Sequence, residues 1–415
     1  MGIITGMTDI ELDLTTWVYG GDAMGRQADG RAVFVPFGMP GERVRARLIE
    51  DKRNFARALL LEVLKPAAER IQPRCPHFAV CGGCHYQHMD YAEQLKVKAA
   101  IVREQLVRLG GMPNPPMRPI VGSPQEWNYR NTVQFHQDRQ GRLGFQAADG
   151  RGVVAVRECH LPEPDLNQLW PQLDLDFVPG LERISLRVGA DGDFLMALEG
   201  EELASPELSV EELPVSVVQL SEEGATVLAG DEAVYLEVLG RSFRVSAGSF
   251  FQVNTAMAAQ MVEHVLALLD PQLGQIALDL YCGVGLFSAF LAARVAELIA
   301  VEVAPSACAD FVVNLDEFEN IALYEGLAEQ ILPALQRKVD IAVVDPPRAG
   351  LERAALDALI ALQPATLVYV SCDPATLARD LKRLLASGYT VEQVTPFDLF
   401  PQTYHVETIV LLRRA

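Results

Sequence analysis

Residues 369–380 read YVSCDPATLARD. An apolar run from Ala365 to Val370 leads into Cys372, and the pair Asp373-Pro374 then opens a helical pattern. Strand, tight handover, helix is the repeating joint of an open α/β sheet, whose ligands gather at the carboxyl ends of its strands. A thiol at such a joint faces the free N–H groups of a helix start, which predicts a stabilised thiolate with a pKa below the usual ~8.5. A buried, inert cysteine at a strand end is the competing reading.

Outward from this joint, the same alternation fills the chain from Asn254 onward. Strands are expected at 275–280, 297–301, 321–324, 339–344 and 365–370, and helices at 255–269, 286–294, 305–318, 327–336, 352–362 and 374–386. Two last strands follow at 390–399 and 406–412. This pattern predicts a parallel, doubly wound sheet. Its first strand ends in DLYCGVGLFS (279–288), where Gly283 and Gly285 let backbone approach a ligand closely. The motif is shorter than the dinucleotide fingerprint, and no phosphate-loop Lys-Ser/Thr follows. The second strand ends in Glu302, placed to accept ribose hydroxyls. An adenosyl cofactor without a pyrophosphate cradle points to S-adenosylmethionine. The fourth strand ends in Asp345-Pro346-Pro347-Arg348. Amino-methylating enzymes place an aromatic residue after the prolines, so Arg348 argues for another acceptor.

Towards the N-terminus the texture changes. Short β-like runs at 12–18, 31–35, 43–49 and 57–63, split by glycine and polar turns, predict a small β-barrel. Arg43, Arg45 and Arg47 alternate with Val44, Ala46 and Leu48, so three guanidinium groups share one strand face. That is either an ordinary charged face or a backbone-tracking RNA stripe. Cys75, Cys81 and Cys84 form a C-x5-C-x2-C pattern, with Cys159 the remaining cysteine outside the C-terminal α/β region. Zinc and a [4Fe-4S] cluster both use four cysteines, and the spacing does not choose between them. A helix is expected from Met89 to Leu109, with Ala92, Leu95, Ala99, Val102, Leu106 and Leu109 on its apolar stripe.

The net charge of −20 conceals a division: residues 1–165 carry 21 basic against 19 acidic side chains, and residues 166–415 carry 14 against 36. An RNA footprint therefore belongs at the N-terminal end, and the acidic stretch 165–232 reads as a solvated, RNA-repelling face. The longest uncharged apolar run, 280–293, is too short to span a bilayer. No signal peptide is evident, so a cytoplasmic protein with reduced cysteines and no membrane partner is expected.

SCDPATLARD, DPPRAG, DLYCGVG, the cysteine pattern and the terminal FPQTYHVETIVLL together resemble the RNA uracil-5 methyltransferase family over nearly the whole chain. The resemblance implies a class I S-adenosylmethionine-dependent methyltransferase domain (89–119 and 250–415). It also implies an N-terminal TRAM-like, OB-like barrel (1–67) and a β-rich central domain (68–88 and 120–249). By the same resemblance Cys372 is the nucleophile that adds to carbon 6 of uracil, and Glu407 is the base that takes the proton from carbon 5. Gln252, Tyr281, Gly283, Glu302 and Asp345 are implied cofactor contacts. Leu286 stands at a further one, where it and Gly326 replace residues that are polar in some relatives. Phe250 corresponds to an aromatic that stacks within RNA, with a core phenylalanine as the alternative. Cys75, Cys81, Cys84 and Cys159 are implied to hold a structural [4Fe-4S] cluster. The implied partner of this monomeric enzyme is RNA, with 23S ribosomal RNA favoured over the tRNA T-loop, and the uridine must be flipped from its stack. A cytosine-5 RNA methyltransferase and a non-catalytic iron-sulfur RNA-binding protein are the rivals.

Overall fold

The computed structural model describes residues 8–173, 175–200, 203, 214–335 and 337–414. The first residues of the expected barrel, part of the acidic stretch between 201 and 213, and Gln336 at the end of an expected helix lie outside the described residues. Two compact units result. One runs to Ile101 and includes Gln146–Arg151 and Phe400–His405; the other comprises Val102–Phe145, Gly152–Leu399 and Val406–Ala415.

In the first unit, β1 (Asp9–Trp17), β2 (Ala23–Arg26), β3 (Ala32–Val35), β4 (Arg43–Asp51) and β5 (Phe55–Lys65) close a barrel in the order β1-β2-β3-β5-β4. Alternation sends Leu12, Leu14, Val33, Val35, Val44, Ala46, Ala56 and Ala58 inward. Arg43, Arg45 and Arg47 do share the outer face, but as a row of ion pairs. β1 and β5 flank β4 and bring acids beside each guanidinium: Arg43 reaches Glu11 at 2.9 Å, Arg47 reaches Asp9 at 2.7 Å, and Arg45 pairs with Glu62.

Helix α1 (Tyr91–Arg108) is rotated from its expected stripe. Its buried face is Gln94, Val97, Lys98, Ile101, Val102, Gln105 and Leu106, while Ala92 and Leu109 are exposed. Two polar residues turn inward because the 400–405 loop satisfies them. The Gln94 amide nitrogen donates to Gln402 Oε1 (3.0 Å), Gln94 Oε1 accepts the Gln402 N–H (2.9 Å), and Lys98 Nζ donates to the Phe400 carbonyl (3.0 Å). Buried polar groups with such partners carry little penalty.

In the second unit, β6 (Thr132–Gln137), β7 (Leu143–Gln146), β8 (Val153–Ala155), β9 (Leu181–Val188), β10 (Phe194–Gly200), β11 (Val215–Ser221) and β12 (Gly224–Ala229) form one sheet in the order β12-β11-β10-β9-β6-β7-β8. Helix α2 (Pro164–Leu169) covers it, with Trp170 edge-on to Phe135. The hairpin of β13 (Ala233–Val238) and β14 (Arg241–Ser246) precedes the α/β region.

There α3 (Thr255–Leu269), β15 (Ile276–Leu280), α4 (Ser288–Leu291), β16 (Glu297–Glu302), α5 (Pro305–Asn314), β17 (Ile321–Glu325), α6 (Ala328–Ile331), β18 (Ile341–Val344), α7 (Arg353–Leu362), β19 (Thr366–Ser371), α8 (Pro374–Ala386), β20 (Tyr389–Phe397) and β21 (Glu407–Arg414) follow in sequence. The sheet order is β17-β16-β15-β18-β19-β21-β20. The first five strands are parallel, as the alternation predicts. β21 is not: it runs against both neighbours because a hairpin, with no crossover helix, delivers it from β20. Val344, Leu367 and Tyr369 lie in the core between helix layers, fully buried.

Candidate active site

The direction of β21 sets the site. Ser371 at the end of β19 stands opposite Thr408, so the next residue on one strand, Cys372, and the preceding one on the other, Glu407, lie at the same edge of the sheet. Asp345 follows Val344 on the adjoining strand, which pairs with Tyr369 of β19 and Leu280 of β15. Tyr281, Glu302 and Asp345 follow or close their strands at this same carboxyl edge. The sheet thus gathers residues from separate segments of the sequence.

The charge in this pocket is one-sided. Glu407 is 5% exposed, and burial first, then the Asp345 charge, raises its carboxyl well above the ordinary value. Desolvation and Asp279 push Asp345 up to about 7. Cys372 departs from the expectation of a stabilised thiolate. Burial, then Glu407, Asp345 and Asp373, push its thiol up to about 12, and Arg348 alone pulls it down. Burial is the main cause of the reversal, and the helix start adds to it. Asp373 caps α8 with its own carboxylate, taking the N–H groups of Ala375 (2.9 Å) and Thr376 (3.0 Å) on Oδ1. The amides meant for a thiolate are therefore spent on an acid, and the acid adds its charge beside the sulfur.

Around DLYCGVG the backbone takes conformations a side chain resists. Tyr281 has φ +64°, Gly283 +53° and Gly285 +95°. A Cβ on Gly285 would lie 2.4 Å from Leu315 Cδ1, whereas one on Gly283 would face open space. Glu302 is gripped by three backbone donors, Gly283 and Val303 (2.9 and 2.8 Å) and Ala304 (2.9 Å), which fixes its carboxylate at the loop. Asp279 is fully buried and raised to about 7 by burial. Ser288 donates to its Oδ2 at 2.6 Å, and Oδ1 has no hydrogen-bond partner among the described residues. Gln252 is buried, and its carbonyl accepts from Asn131 Nδ2 at 3.0 Å. Asn254, two residues on, caps α3 and donates to the Leu399 carbonyl, tying this loop to the β20 end. Leu286 is 8% exposed and packs inward.

A family profile described as tRNA (uracil-5-)-methyltransferase matches residues 199–415, and a TRAM domain profile matches residues 11–61. The chain belongs to the tRNA (uracil-5-)-methyltransferase family. Relatives include an uncharacterized RNA methyltransferase of Thermosynechococcus vestitus, 35% identical over 97% of both chains. Another, from Aquifex aeolicus, is 34% identical over 98% of this chain and 99% of its own. Among solved structures, the tRNA (uracil-54, C5)-methyltransferase of Pyrococcus abyssi in complex with S-adenosyl-L-homocysteine matches with a TM-score of 0.74. It is 22% identical and covers 97% of this chain and 100% of its own, a likeness of fold. As a member of this family the chain is an RNA methyltransferase, with a class I methyltransferase sheet and an N-terminal TRAM barrel.

Within this methyltransferase, Phe250 is 71% exposed and so is no core residue; its neighbour Phe251 fills the core beside Phe243 at 5.7 Å. That exposure removes the core-phenylalanine alternative that the sequence left open for Phe250. Cys75, Cys81 and Cys84 lie in the first unit and Cys159 in the second. None of the four forms a disulfide among the described residues, and the Gly83 N–H donates to Cys81 Sγ at 3.4 Å. The donor chemistry suits a metal cluster. Among the described residues, no group of three or more His, Cys, Asp or Glu that could hold a metal ion forms. No helix of the described residues is long and apolar enough to cross a membrane.

Proposed function

We propose that this enzyme methylates carbon 5 of a uridine in RNA, with Cys372 as nucleophile and Glu407 as base. The observation that carries the reading is the Ser371–Thr408 register, which sets the two side chains at one edge beside Asp345. Carbon 5 of uracil is a weak nucleophile. The Cys372 sulfur, on losing its proton to water, bonds carbon 6 and turns carbon 5 into an enolate carbon. S-adenosylmethionine, when bound, would supply an electrophilic methyl on its sulfonium; the enolate carbon 5 would bond that methyl as the methyl–sulfur bond breaks, its electron pair staying on the neutral thioether S-adenosylhomocysteine. Glu407 then takes the proton from carbon 5, the carbon–sulfur bond breaks, the 5,6 double bond returns and the thiolate is reprotonated. A carboxyl raised by burial is a stronger proton acceptor than an exposed one.

Tyr281, Gly283, Glu302, Asp345, Gln252 and Leu286 would line the cofactor site. The open space over Gly283, the Asp279 Oδ1 without a hydrogen-bond partner among the described residues and the acid-rich rim suit the sulfonium cation of S-adenosylmethionine. Exposed Phe250 supports base stacking by a target taken out of its helix. On donor chemistry alone we retain Cys75, Cys81, Cys84 and Cys159 as holders of a [4Fe-4S] cluster, through which no step of methyl transfer runs. Anaerobically purified protein would then contain about four irons, and zinc or no metal would remove the cluster.

Ribosomal RNA is the favoured target, because a TRAM domain precedes the catalytic sheet. The tRNA T-loop is the second reading, favoured by the fold shared with a tRNA enzyme. Incubating the enzyme with methyl-labelled cofactor and separated ribosomal RNA and tRNA from a deletion strain tests both levels. Label recovered as 5-methyluridine supports the chemistry and its fraction identifies the RNA, whereas label on cytosine overturns the reading.

A further inference from the structure

The segment after Asp345 is an irregular loop, DPPRAG, yet it is tied down along its length by the helix that follows Cys372. Thr376 Oγ1 donates to the Arg348 carbonyl (3.1 Å). Arg379 Nη2 donates to the carbonyls of Ala349 (2.8 Å) and Leu351 (3.3 Å). Asp380 closes the arrangement. Its Oδ2 accepts the Leu351 N–H at 2.9 Å and the Tyr369 hydroxyl at 2.8 Å, and its Oδ1 accepts Arg379 Nε at 2.8 Å. Asp380 is 2% exposed and Tyr369 is fully buried.

Gly350 records how tightly the loop lies on this pair. Its φ is +76°, and a Cβ there would stand 2.6 Å from both Arg379 Nη2 and Asp380 Oδ2. Tyr369 is the other end of the tie. It pairs with Val344, which leads into Asp345, and with Val410 of the strand that begins at Glu407, and its own strand leads into Cys372. One buried carboxylate thus touches the loop after Asp345, the strand before Cys372 and the helix behind it. A fully satisfied buried network of this kind specifies one geometry.

We propose that Asp380 is a positioning residue for methyl transfer, holding the 345–351 loop and the Cys372 turn as one body through Tyr369, Arg379 and Leu351. The inference rests on the roles given above to Asp345 and Cys372. Asp380 touches no reacting atom. Its effect is on where Asp345 and Cys372 stand relative to each other, and displacements of about 1 Å at such a site cost on the order of 100-fold in rate.

The test compares Asp380→Asn with Arg379→Met and Thr376→Val, two substitutions at exposed or half-exposed tethers that leave the core intact. Turnover, KM for RNA, melting temperature and amide exchange of the loop are measured on the full chain. Asp380→Asn is expected to lower kcat by about 10- to 100-fold. KM for RNA should hold within about threefold, with faster exchange confined to 345–351. Arg379→Met should follow in the same direction, and Thr376→Val more weakly. Normal kcat in Asp380→Asn and Arg379→Met with a freed loop would overturn the proposal. So would exchange rising throughout the sheet with activity falling only as the folded fraction falls. Loop exchange is read without turnover. An active Cys372→Ala therefore marks failure of the nucleophile reading, and a loop that stays protected in Asp380→Asn marks failure of this one.

Discussion

The barrel wall and the edge of the methyltransferase sheet treat carboxylates in opposite ways. On the barrel, Asp9, Glu11 and Glu62 each meet an arginine in the open, where solvent screens the pair and little stability is gained. At the sheet edge Asp279, Asp345 and Glu407 crowd together with Arg348 the cation that acts on the thiol, and each acid is pushed above its ordinary pKa. A pairing that is available at the surface is withheld in the pocket. The difference separates acids neutralised by arginines at the surface from acids raised by burial, the pattern expected of a functional site.

The contrast can be broken most directly at Cys372, the proposed nucleophile. Cys372→Ala should lower methylation by on the order of 10,000-fold or more in a single-turnover assay, and an active variant would strip the pocket of its proposed chemistry. Glu407→Gln should slow turnover by about 100- to 10,000-fold. It should also accumulate an RNA–protein adduct that survives a denaturing gel, and turnover lost without an adduct would shift the defect to an earlier step.

The pH dependence sharpens the same comparison. Asp279 and Asp345 have folded values of about 7 against 3.8 in the unfolded chain, so the native state binds more protons between those limits. Their contribution to stability is present at low pH and is lost as pH rises from about 4 to about 7. Asp279→Asn should therefore flatten the fall in melting temperature across that window, and an unchanged slope would mean that the carboxyl is not desolvated. Activity has the opposite sense, because both the base and the thiolate form on deprotonation, so kcat/KM should rise from pH 6 to 9. The smallest effect belongs to the barrel. Asp9→Asn, Glu11→Gln, Asp13→Asn and Glu62→Gln together should free three guanidinium groups and steepen the salt dependence of RNA binding by about 2 in log–log slope. No change would place RNA away from this wall.

The α/β fold was legible because each strand and helix carries its own period and the glycines and prolines mark the joints. Gly283 and Gly285, Glu302 and Asp345 fall at the strand ends where the alternation puts them. What the sequence concealed were relations between segments. The partners of Arg43, Arg45 and Arg47 lie on β1 and β5, so a stripe counted along β4 looked basic. Gln94 and Lys98 turn inward because of carbonyl and amide partners some three hundred positions away, beyond the reach of helical periodicity. Asp373 was readable as a helix cap, but whether its charge or the helix amides would govern Cys372 depended on packing. Phe250 and Phe251 are identical in type and adjacent in sequence, and only the fold separates an exposed ring from a core one.

The burial of Cys372 among Glu407, Asp345 and Asp373 has a bearing on how the protein ages. Peroxide and electrophiles attack thiolates, and a sulfur whose thiol is pushed up to about 12 presents almost none at neutral pH. The resting enzyme should therefore keep Cys372 reduced through oxidative stress, and with Cys372 as the proposed nucleophile, oxidative wear should fall in the moments when its sulfur is ionised.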